Sequence, residues 1–250
     1  MRAVVELLAG ARRLVIFTGA GVSAESGIPT FRDALGGLWA RYDPAALATP
    51  AAFADDPALV WGWYEWRRLK VLGVQPNPAH RAIAALSGRI ADTRLVTQNV
   101  DDLHERAGSR DVLHLHGSLH APRCATCAAA YRDALPDSVE PEEGRRIEPP
   151  RCPACGGQVR PGVVWFGEAL PEAALREAFA AACECDLLLS VGTSGVVQPA
   201  VRIPGLALEH GASVVHVNPQ TVRTRHPREH CLVGPAGEML PELLRRAFPG

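Results

Sequence analysis

The chain has 250 residues, 47% of them hydrophobic, and a formal net charge of −1. This is typical of one large globular domain or one domain with inserts, whereas a dedicated nucleic-acid-binding protein normally carries a basic surface. No segment approaches the roughly 20 apolar residues of a membrane span, and the N-terminal residues lack the pattern of a signal peptide. We therefore expect a cytoplasmic protein with neither a membrane nor a nucleic acid as its direct partner.

The first apolar run of the chain leads into a glycine-containing turn. Leu14–Phe17 is typical of a buried parallel strand, and Gly19–Ala24 after it fits the pattern G-x-G-x-x-G/A of dinucleotide-binding loops. In such a loop Gly19 permits the tight turn and Gly21 lets a pyrophosphate approach the backbone. The small Ala24 lets the next helix pack near the strand. Alone, the pattern is weak evidence for nucleotide binding.

The next segments differ from the regular pattern around them. Proline and glycine accompany Phe31 and Arg32 in residues 26–33, which predicts a loop that can fold over a bound ligand. Residues 34–80 are rich in tryptophan, tyrosine and proline and lack the alternation of a strand. They predict short helices joined by turns, forming an insert in the main fold.

The rest of the chain alternates predicted helices and strands. The predicted helices cover 2–13, 79–91, 171–183, 199–210 and 238–247. The predicted strands, besides Leu14–Phe17, cover 94–97, 112–117, 163–168, 186–192 and 212–218. This alternation, with several wholly apolar strands, predicts an α/β fold with a doubly wound parallel sheet.

The carboxyl ends of these strands are predicted to form the ligand site, because open parallel sheets bind ligands beyond that edge. The segments that gather there are Gly19–Ser23, Gln98–Asp101, His116, Gly192–Ser194 and Asn218. The side chains of Gln98, Asn99 and Asp101 can hydrogen-bond ribose hydroxyls or a carboxamide, although Asn and Asp also begin many helices.

Two histidines lie at one predicted strand end. His114 and His116 share a face on period-2 alternation, so their spacing does not choose between them. A histidine that faces the ligand edge can act as a general base near neutral pH, whereas a lone histidine is more often structural. The residues alone leave this choice open.

Four of the seven cysteines form two C-x-x-C pairs, Cys124 with Cys127 and Cys152 with Cys155. Each pair can chelate a cation from a tight turn, and two pairs give a closed tetrahedral site for a structural zinc. Without a signal peptide, the alternative of disulfides or redox pairs is disfavoured. Because four thiolates leave no open ligand position, this zinc is not expected to be catalytic.

Taken together and in this order, the motifs resemble the sirtuin family of NAD-dependent protein lysine deacylases over essentially the whole chain. The segments that carry the resemblance are Gly19–Ser23, Gly27–Arg32, Gln98–Asp101, Leu115–Ser118, the four cysteines, Val164–Glu168 and Gly192–Ser194. The resemblance implies a Rossmann-like NAD-binding domain over 1–33, 84–118 and 161–250. A smaller domain would consist of a helical insert, 34–83, and a zinc-binding module, 119–160.

The resemblance also implies roles for individual residues. The implied NAD contacts are Gly19, Ala20, Gly21, Ser23, Phe31, Arg32, Gln98, Asn99, Asp101, Gly192, Thr193, Ser194, Asn218 and Ala236. By the same resemblance His116, rather than His114, is the general base, with Asn99 and Asp101 also at the catalytic centre. The segments expected to bind an acylated lysine peptide as an added strand contain Val164, Phe166, Gly167 and Val196.

Residues of the predicted helical insert indicate which subclass of the family the chain resembles. Tyr64 and Arg67, with Ala34 upstream, are placed as in the sirtuins that remove succinyl, malonyl and glutaryl groups. Residues i and i+3 share one face of a helix, so Tyr64 and Arg67 could both reach one carboxylate at the end of an acyl-lysine tunnel.

The reaction implied by the resemblance uses NAD as cosubstrate and releases nicotinamide, O-acyl-ADP-ribose and free lysine on a protein or peptide. One structural Zn²⁺ accompanies it. Two alternatives remain at this point: a protein ADP-ribosyltransferase that uses the same site, and a non-catalytic NAD-sensing module.

Overall fold

The computed structural model describes residues 1–30, 41–135 and 145–249. At its centre six parallel strands pair in the order β3-β2-β1-β6-β7-β8, and β4 and β5 form a separate antiparallel pair. The strands are β1 (Arg13–Thr18), β2 (Asp92–Thr97), β3 (Leu113–His114), β4 (Arg123–Cys124), β5 (Val159–Arg160), β6 (Leu187–Val191), β7 (Ser213–Asn218) and β8 (Glu229–Val233). At the centre of the sheet, Ile16 of β1 lies opposite Leu95 on one side and Leu189 on the other.

Helices connect most of the strands. They are α1 (Arg2–Gly10), α2 (Gly21–Ala24), α3 (Pro44–Leu47), α4 (Pro50–Asp55), α5 (Pro57–Leu72), α6 (Pro78–Ser87), α7 (Leu103–Arg106), α8 (Glu172–Glu184), α9 (Arg202–Glu209) and α10 (Ala236–Ala247). Before α4, α5 and α6, the side chains of Thr49, Asp56 and Asn77 accept hydrogen bonds from first-turn N–H groups. Each helix then starts with proline, which has no N–H to leave unpaired. Within the described ranges, no helix is both long and apolar enough to cross a bilayer.

The side chains of β1 alternate between two apolar cores, one on each face of the sheet. Leu14 and Ile16 pack with α1, α6 and α10, whereas Val15 and Phe17 pack with α8 and α9. All four are at most 2% exposed, as expected for a central parallel strand that is covered on both faces. The prediction of a doubly wound parallel sheet is therefore confirmed.

A third apolar cluster lies among the helices between β1 and β2. It joins Phe53 of α4 and Trp63 and Tyr64 of α5 to Val163 and Trp165, which belong to the chain between β5 and α8. Helix α6, by contrast, packs in the core of the large sheet, although the predicted insert includes its first residues. The division of the chain into domains stays a prediction.

Helix α5 also contacts the chain that leads into the second C-x-x-C pair. The N–H of Ile147 donates to the carbonyl of Ala58 at 3.0 Å. A Cβ atom at Gly62 would lie 2.2 Å from the carbonyl oxygen of Arg145. Only a residue without a side chain allows this approach, so glycine at position 62 is explained by the packing of segment 145–147 on α5.

Most predicted elements are confirmed with slightly shifted ends, but one is shortened and four were missed. The predicted strand 112–117 is a strand only at Leu113–His114. The four-residue helix α7, the two-residue strands β4 and β5, and strand β8 were not predicted. β8 is an edge strand that begins Glu229-His230-Cys231. It lacks the continuous apolar run of a buried strand, which is why the pattern did not reveal it.

The prediction of a strand over residues 163–168 is wrong. Only an isolated bridge joins this segment to Gly117. Its backbone N–H groups donate to carbonyls of two different segments, the loop after β3 and the turn after α3. Because no single neighbouring strand runs beside it in the described part of the chain, its β-branched and aromatic residues do not form a regular ladder.

Candidate functional site

Two glycine-containing loops meet at the carboxyl end of the sheet. Gly19 and Gly21 follow β1, and Gly192 follows the neighbouring strand β6. The N–H of Gly21 donates to the Gly192 carbonyl at 3.0 Å. A Cβ atom at Gly19 would lie 2.9 Å from the Gly192 oxygen, and one at Gly21 would lie 2.8 Å from Gly192 Cα. Both glycines are thus required by the contact between the two loops.

The rest of the first loop departs from one expectation. Ala20 is exposed at the turn, and Ser23 is buried in the four-residue helix α2. Ala24, expected to allow close packing of the helix, is exposed. Helix α2 packs on the core through Val22, which is 0% exposed. The role expected for Ala24 is therefore taken by Val22.

The residues predicted after β6 and β7 come together. The side-chain amide of Asn218 donates to the Thr193 carbonyl at 3.0 Å, and Thr193 Oγ1 lies 2.9 Å from Ser190 Oγ. Ser194 is exposed beside them. Ala236 begins α10 with its side chain buried in the apolar core, so any contact with a nucleotide would involve its backbone.

A chain of hydrogen bonds links the loop after β1 to the loop after β2. Asn99 Nδ2 donates to Ser23 Oγ at 3.0 Å, and Ser23 Oγ donates to Asp101 Oδ2 at 2.9 Å. The other carboxylate oxygen, Asp101 Oδ1, accepts the N–H of Leu103 at 3.1 Å. Burial raises the pKa of Asp101, while these hydrogen bonds oppose the rise.

Two histidines that the sequence did not single out lie in the same polar cluster. His80 Nδ1 accepts the N–H of Asn77, and its Nε2 lies 3.5 Å from Ser23 Oγ. His104 Nε2 lies 3.0 Å from Thr18 Oγ1, and the two imidazole rings are 4.9 Å apart. Burial lowers the pKa of His80 to about 4 and that of His104 to about 3, so both rings are neutral at pH 7. An isolated histidine carries no sequence signal that could have placed either ring here.

His116 has the hydrogen bonding of a general base. Its Nδ1 lies 2.9 Å from the Gln98 carbonyl oxygen, and because a carbonyl only accepts, Nδ1 carries the proton. The lone pair of the neutral ring is then on Nε2. Burial lowers the pKa of His116, and the bond to Gln98 only partly opposes this. The ring is therefore neutral near pH 7 and able to accept a proton.

His114 has different hydrogen-bond partners, although it lies only two residues before His116 in the chain. Its Nδ1 lies 3.1 Å from the Asn99 carbonyl oxygen, and its Nε2 lies 2.7 Å from Glu105 Oε1. Burial alone would lower the pKa of His114, but the hydrogen bond and charge of Glu105 raise it above its usual value. Both nitrogens face acceptors, which favours the protonated ring. Of the two histidines, only His116 has a nitrogen suited to taking a proton.

The polar cluster fits the ribose and carboxamide of NAD. Asn99 Oδ1 is buried without a hydrogen-bond partner among the described residues, so it can accept a hydroxyl or amide N–H from a ligand. The side chain of Gln98 reaches within 3.5 Å of the position that a Cβ at Gly19 would take. Amide, hydroxyl and carboxylate groups thus line the edge where the glycine-containing loops meet.

Tyr64 and Arg67 lie one turn apart on α5, near this polar cluster. Tyr64 is 5% exposed, and its Oη accepts a hydrogen bond from Trp165 Nε1 at 3.1 Å. The Arg67 guanidinium lies 5.1 Å from the centre of the Trp63 ring. Burial lowers the pKa of Arg67, while the charges of Tyr64 and Asp101 oppose this. Arg67, on the helix face predicted to bind the acyl group, is therefore within electrostatic range of Asp101.

Trp165 is itself held by an ion pair that the sequence analysis did not identify. The Arg160 guanidinium lies 3.5 Å from the centre of the Trp165 ring. Its two terminal nitrogens donate to the Glu168 carboxylate at 2.5 and 2.9 Å, and Glu168 Oε2 also accepts the backbone N–H of Trp165 at 2.8 Å. Nothing in the sequence shows that Arg160 pairs with Glu168 or that the guanidinium stacks on an indole.

The residues predicted to contact a peptide are at the surface. Phe166 is 51% exposed and Val196 is 58% exposed. Val164 is half-buried, and Gly167, with φ +87°, is in a turn. Exposed large apolar side chains often mark a surface that binds another chain. Phe31, Arg32 and Ala34 lie outside the described residues.

The four cysteines of the C-x-x-C pairs form one cluster. Their sulfur atoms all lie within 4.8 Å of one another, with Cys124 Sγ 3.5 Å from Cys155 Sγ and Cys127 Sγ 3.8 Å from Cys152 Sγ. A tetrahedral zinc with bonds of about 2.3 Å places its sulfurs about 3.8 Å apart. None of the seven cysteines forms a disulfide. The cluster fits a structural zinc.

The backbone around the cluster also fits thiolate ligands. The N–H groups of Cys127 and Thr126 donate to Cys124 Sγ at 3.4 and 3.3 Å, and they lower the pKa of that thiol. Gly156, with φ +74°, turns the chain after the second pair. A Cβ at Gly157 would lie 2.5 Å from Thr126 Oγ1 and 3.2 Å from Cys124 Sγ. The second pair can therefore close over the first only with glycine at position 157.

A family model described as the Sir2 family matches residues 19–199. The chain is 98% identical over 250 residues to NAD-dependent protein deacylase 1 of Pseudomonas aeruginosa, with all of both chains covered. It is 58% identical over 252 residues to the NAD-dependent protein deacylase of Methylococcus capsulatus, with 98% of each chain covered.

Solved structures show the same similarity. A crystal structure of a Sir2 homologue in complex with NAD superposes with a TM-score of 0.85 at 45% identity, covering 99% of this chain and 93% of that one. A structure described as a Sir2, p53 peptide and NAD⁺ complex superposes with a TM-score of 0.79 at 28% identity, covering 98% of this chain and 97% of that one.

Proposed function

Since this chain belongs to the Sir2 family and is an NAD-dependent protein lysine deacylase, we propose that it acts preferentially on succinyl- and malonyl-lysine. NAD is its cosubstrate, and the four-cysteine cluster holds a structural zinc. The substrates are acylated proteins or peptides, as the peptide complex of a relative suggests. The single observation that carries the proposed preference is the pairing of Tyr64 with Arg67 on one face of α5.

The catalytic roles that we propose follow from the hydrogen bonds of the site. NAD supplies the ribose carbon that receives the acyl oxygen as nicotinamide leaves. His116 Nε2 takes the proton of a ribose hydroxyl, because its Nδ1 proton is committed to the Gln98 carbonyl. Asn99 Oδ1 orients the ribose or the carboxamide, and Asp101 fixes Ser23 beside it. The acyl oxygen is a weak nucleophile, so alignment in a dry site contributes much of the rate.

The proposed acyl site combines one hydroxyl donor with one guanidinium. Burial raises the pKa of Tyr64 to about 12, even though the charge of Arg67 opposes the rise. Tyr64 therefore keeps its proton at neutral pH and can donate it. Arg67 supplies a fork of N–H donors that matches the two oxygens of a carboxylate. Together they can satisfy an acyl carboxylate, which is costly to bury without partners.

The position of the pair relative to the cofactor residues supports the same proposal. The charges of Arg67 and Asp101 interact, and Asp101 belongs to the cluster that fits the NAD ribose. A lysine acyl group must present its amide oxygen to that ribose. We propose that the far end of a four-carbon diacid extends from there toward Arg67.

The expected size of the preference follows from the hydrogen bonds. A bond to a charged group contributes about 1.5–3 kcal/mol, which corresponds to about 10- to 150-fold in catalytic efficiency. With acetyl-lysine bound, Arg67 has no substrate carboxylate to bind. Acetyl-lysine should therefore be the poorer substrate by about one to two orders of magnitude.

The test is to measure kcat/KM on peptides of one sequence that carry acetyl-, succinyl- or malonyl-lysine. Wild type should favour the two acidic groups. Arg67→Met, which keeps the length of the side chain and removes its charge, should lose desuccinylation far more than deacetylation. Arg176→Met, an exposed arginine of α8 whose side chain is 75% exposed, is the matched control and should leave the ratio unchanged. Equal losses in both activities of Arg67→Met would refute the preference.

Product analysis separates the proposal from the rival ADP-ribosyltransferase. A deacylase forms O-acyl-ADP-ribose together with free lysine, whereas a transferase forms ADP-ribosylated protein. Labelled NAD and mass spectrometry of both products distinguish the two outcomes.

A further inference from the structure

Helix α5 alone does not determine which way the Tyr64 hydroxyl points. A phenolic oxygen has one proton to donate and can accept two hydrogen bonds. In the structure Tyr64 Oη accepts the indole N–H of Trp165, at 3.1 Å. Because an indole N–H only donates, the Tyr64 proton cannot be used in this contact. The proton therefore remains available to a different acceptor.

The indole is fixed from several sides, so the direction of this contact does not vary freely. Trp165 is 3% exposed, and its ring centre lies 5.3 Å from that of Phe53. The Arg160 guanidinium stacks on the ring, and Glu168 joins that guanidinium to the Trp165 backbone N–H. These contacts hold the ring, and with it the indole N–H, in one position.

We propose that Trp165 is a specificity-determining positioning residue, which holds the Tyr64 oxygen as an acceptor so that its proton faces the carboxylate of an acyl group. This inference rests on the proposed preference for succinyl- and malonyl-lysine. Trp165 does not touch the carboxylate itself. Its effect reaches the substrate through Tyr64, and it requires both the indole N–H and the tyrosine hydroxyl.

The test is Trp165→Phe, which keeps an aromatic ring and removes the N–H. A hydrogen bond of ordinary strength corresponds to about 2- to 12-fold, so the succinyl-to-acetyl ratio of kcat/KM should fall by about this factor. The loss should lie mainly in the KM of the succinyl peptide, since the carboxylate is bound in the ground state as well as in the transition state. Trp61→Phe is the matched control: Trp61 is a buried tryptophan of α5 outside the cluster that contains Trp165, and its ratio should stay constant.

A double-mutant cycle separates positioning from packing. In the Tyr64→Phe background, Trp165→Phe should change the ratio by less than about twofold, because the hydroxyl through which it acts is gone. If Trp165→Phe lowers the melting temperature strongly, benzothienylalanine at position 165 keeps the ring shape and replaces the N–H with sulfur. It should give the same fall in the ratio.

The outcomes are distinct. If Arg67→Met is selective but neither change at position 165 alters the ratio, Trp165 is a packing residue and only this inference fails. Trp165 is likewise a packing residue if Trp165→Phe lowers the ratio equally with and without the Tyr64 hydroxyl. If wild type shows no preference for acidic acyl groups, the proposed preference and this inference fail together.

Discussion

Replacing His116 with asparagine removes the proposed base but can keep the hydrogen bond that holds the side chain to Gln98. In the structure His116 Nδ1 donates to the Gln98 carbonyl at 2.9 Å, and the side-chain N–H of asparagine lies near the same position on the side chain. His116→Asn can therefore keep the hydrogen bond to Gln98. What it lacks is Nε2, the one ring nitrogen with a free lone pair.

The expected loss can be estimated from the role of that nitrogen. General base catalysis contributes about 10²- to 10⁴-fold, or about 3–5.5 kcal/mol in the activation barrier. The acyl-removal rate of His116→Asn should fall by this factor. Nicotinamide release precedes the proposed proton transfer, so exchange of labelled nicotinamide into NAD in the presence of an acyl peptide should fall much less.

The pH dependence of kcat/KM gives a second, independent test of His116 as the base. Burial lowers the pKa of His116 from its ordinary value near 6.5. The base is active when neutral, so kcat/KM should rise with pH through the lowered pKa and then level off. The acid limb of the wild-type profile should lie below pH 6.5 and disappear in His116→Asn.

The assays are single-turnover deacylation, nicotinamide exchange and the pH profile of kcat/KM. His210→Asn is the matched control, because His210 Nδ1 also lies 2.9 Å from a backbone carbonyl, that of Leu206, but at the exposed end of α9. It should retain wild-type rates. Near-normal deacylation by His116→Asn, or an acid limb above pH 6.5, would show that another group takes the proton.

Two further predictions concern stability. Cys152→Ser should abolish zinc binding and leave residues 119–160 sensitive to protease, since metal binding supplies folding energy to such a module; a variant with one bound zinc and an unchanged melting temperature would contradict this. Gly192→Ala should be more destabilising than Gly195→Ala. Both glycines have φ above +60°, a conformation that costs alanine about 1–2 kcal/mol. At position 192 the new Cβ would also lie 2.4 Å from Val22 N. At position 195 nothing lies within 4 Å of the new Cβ. Equal melting temperatures of the two variants would refute the clash.

The central strands could be predicted because a strand that is buried on both faces consists almost entirely of apolar residues. β1 and β6 are covered on both faces, so nearly every residue is apolar and glycine ends the run. Strand β8 pairs on one side only and carries polar residues at its start, so it has no such run. Residues 163–168 have the composition of a strand, but a strand also needs a neighbour, which composition does not reveal.

The sequence predicted which loops form the site, but it did not predict the contacts between their side chains. The motifs identified the family, the enzyme class, NAD and the zinc cluster, and these are confirmed. The choice between His114 and His116 could not be made from alternation, because it depends on what their ring nitrogens face. Nε2 of His114 faces Glu105, whereas Nδ1 of His116 faces the Gln98 carbonyl. The roles of individual site residues stay predictions.

Some residues that contact the site could not be recognised from the sequence. His80 reaches Ser23 from α6, across 57 positions of the chain, and Trp165 reaches Tyr64 across 101 positions. Such pairs are brought together by tertiary packing rather than by sequence spacing. They become visible only in the folded structure.

Gly62 links helix α5 to the region of the second cysteine pair. The chain that enters the second cysteine pair presses against α5 at this point, and two positions later the same helix carries Tyr64. The metal cluster and the proposed acyl-binding face are far apart in the sequence, but the segment that leads into the second cysteine pair packs on the helix that carries the proposed face. A molecule that has lost its zinc is therefore expected to keep its parallel sheet and its nucleotide loops, and to change first in its discrimination between acyl groups.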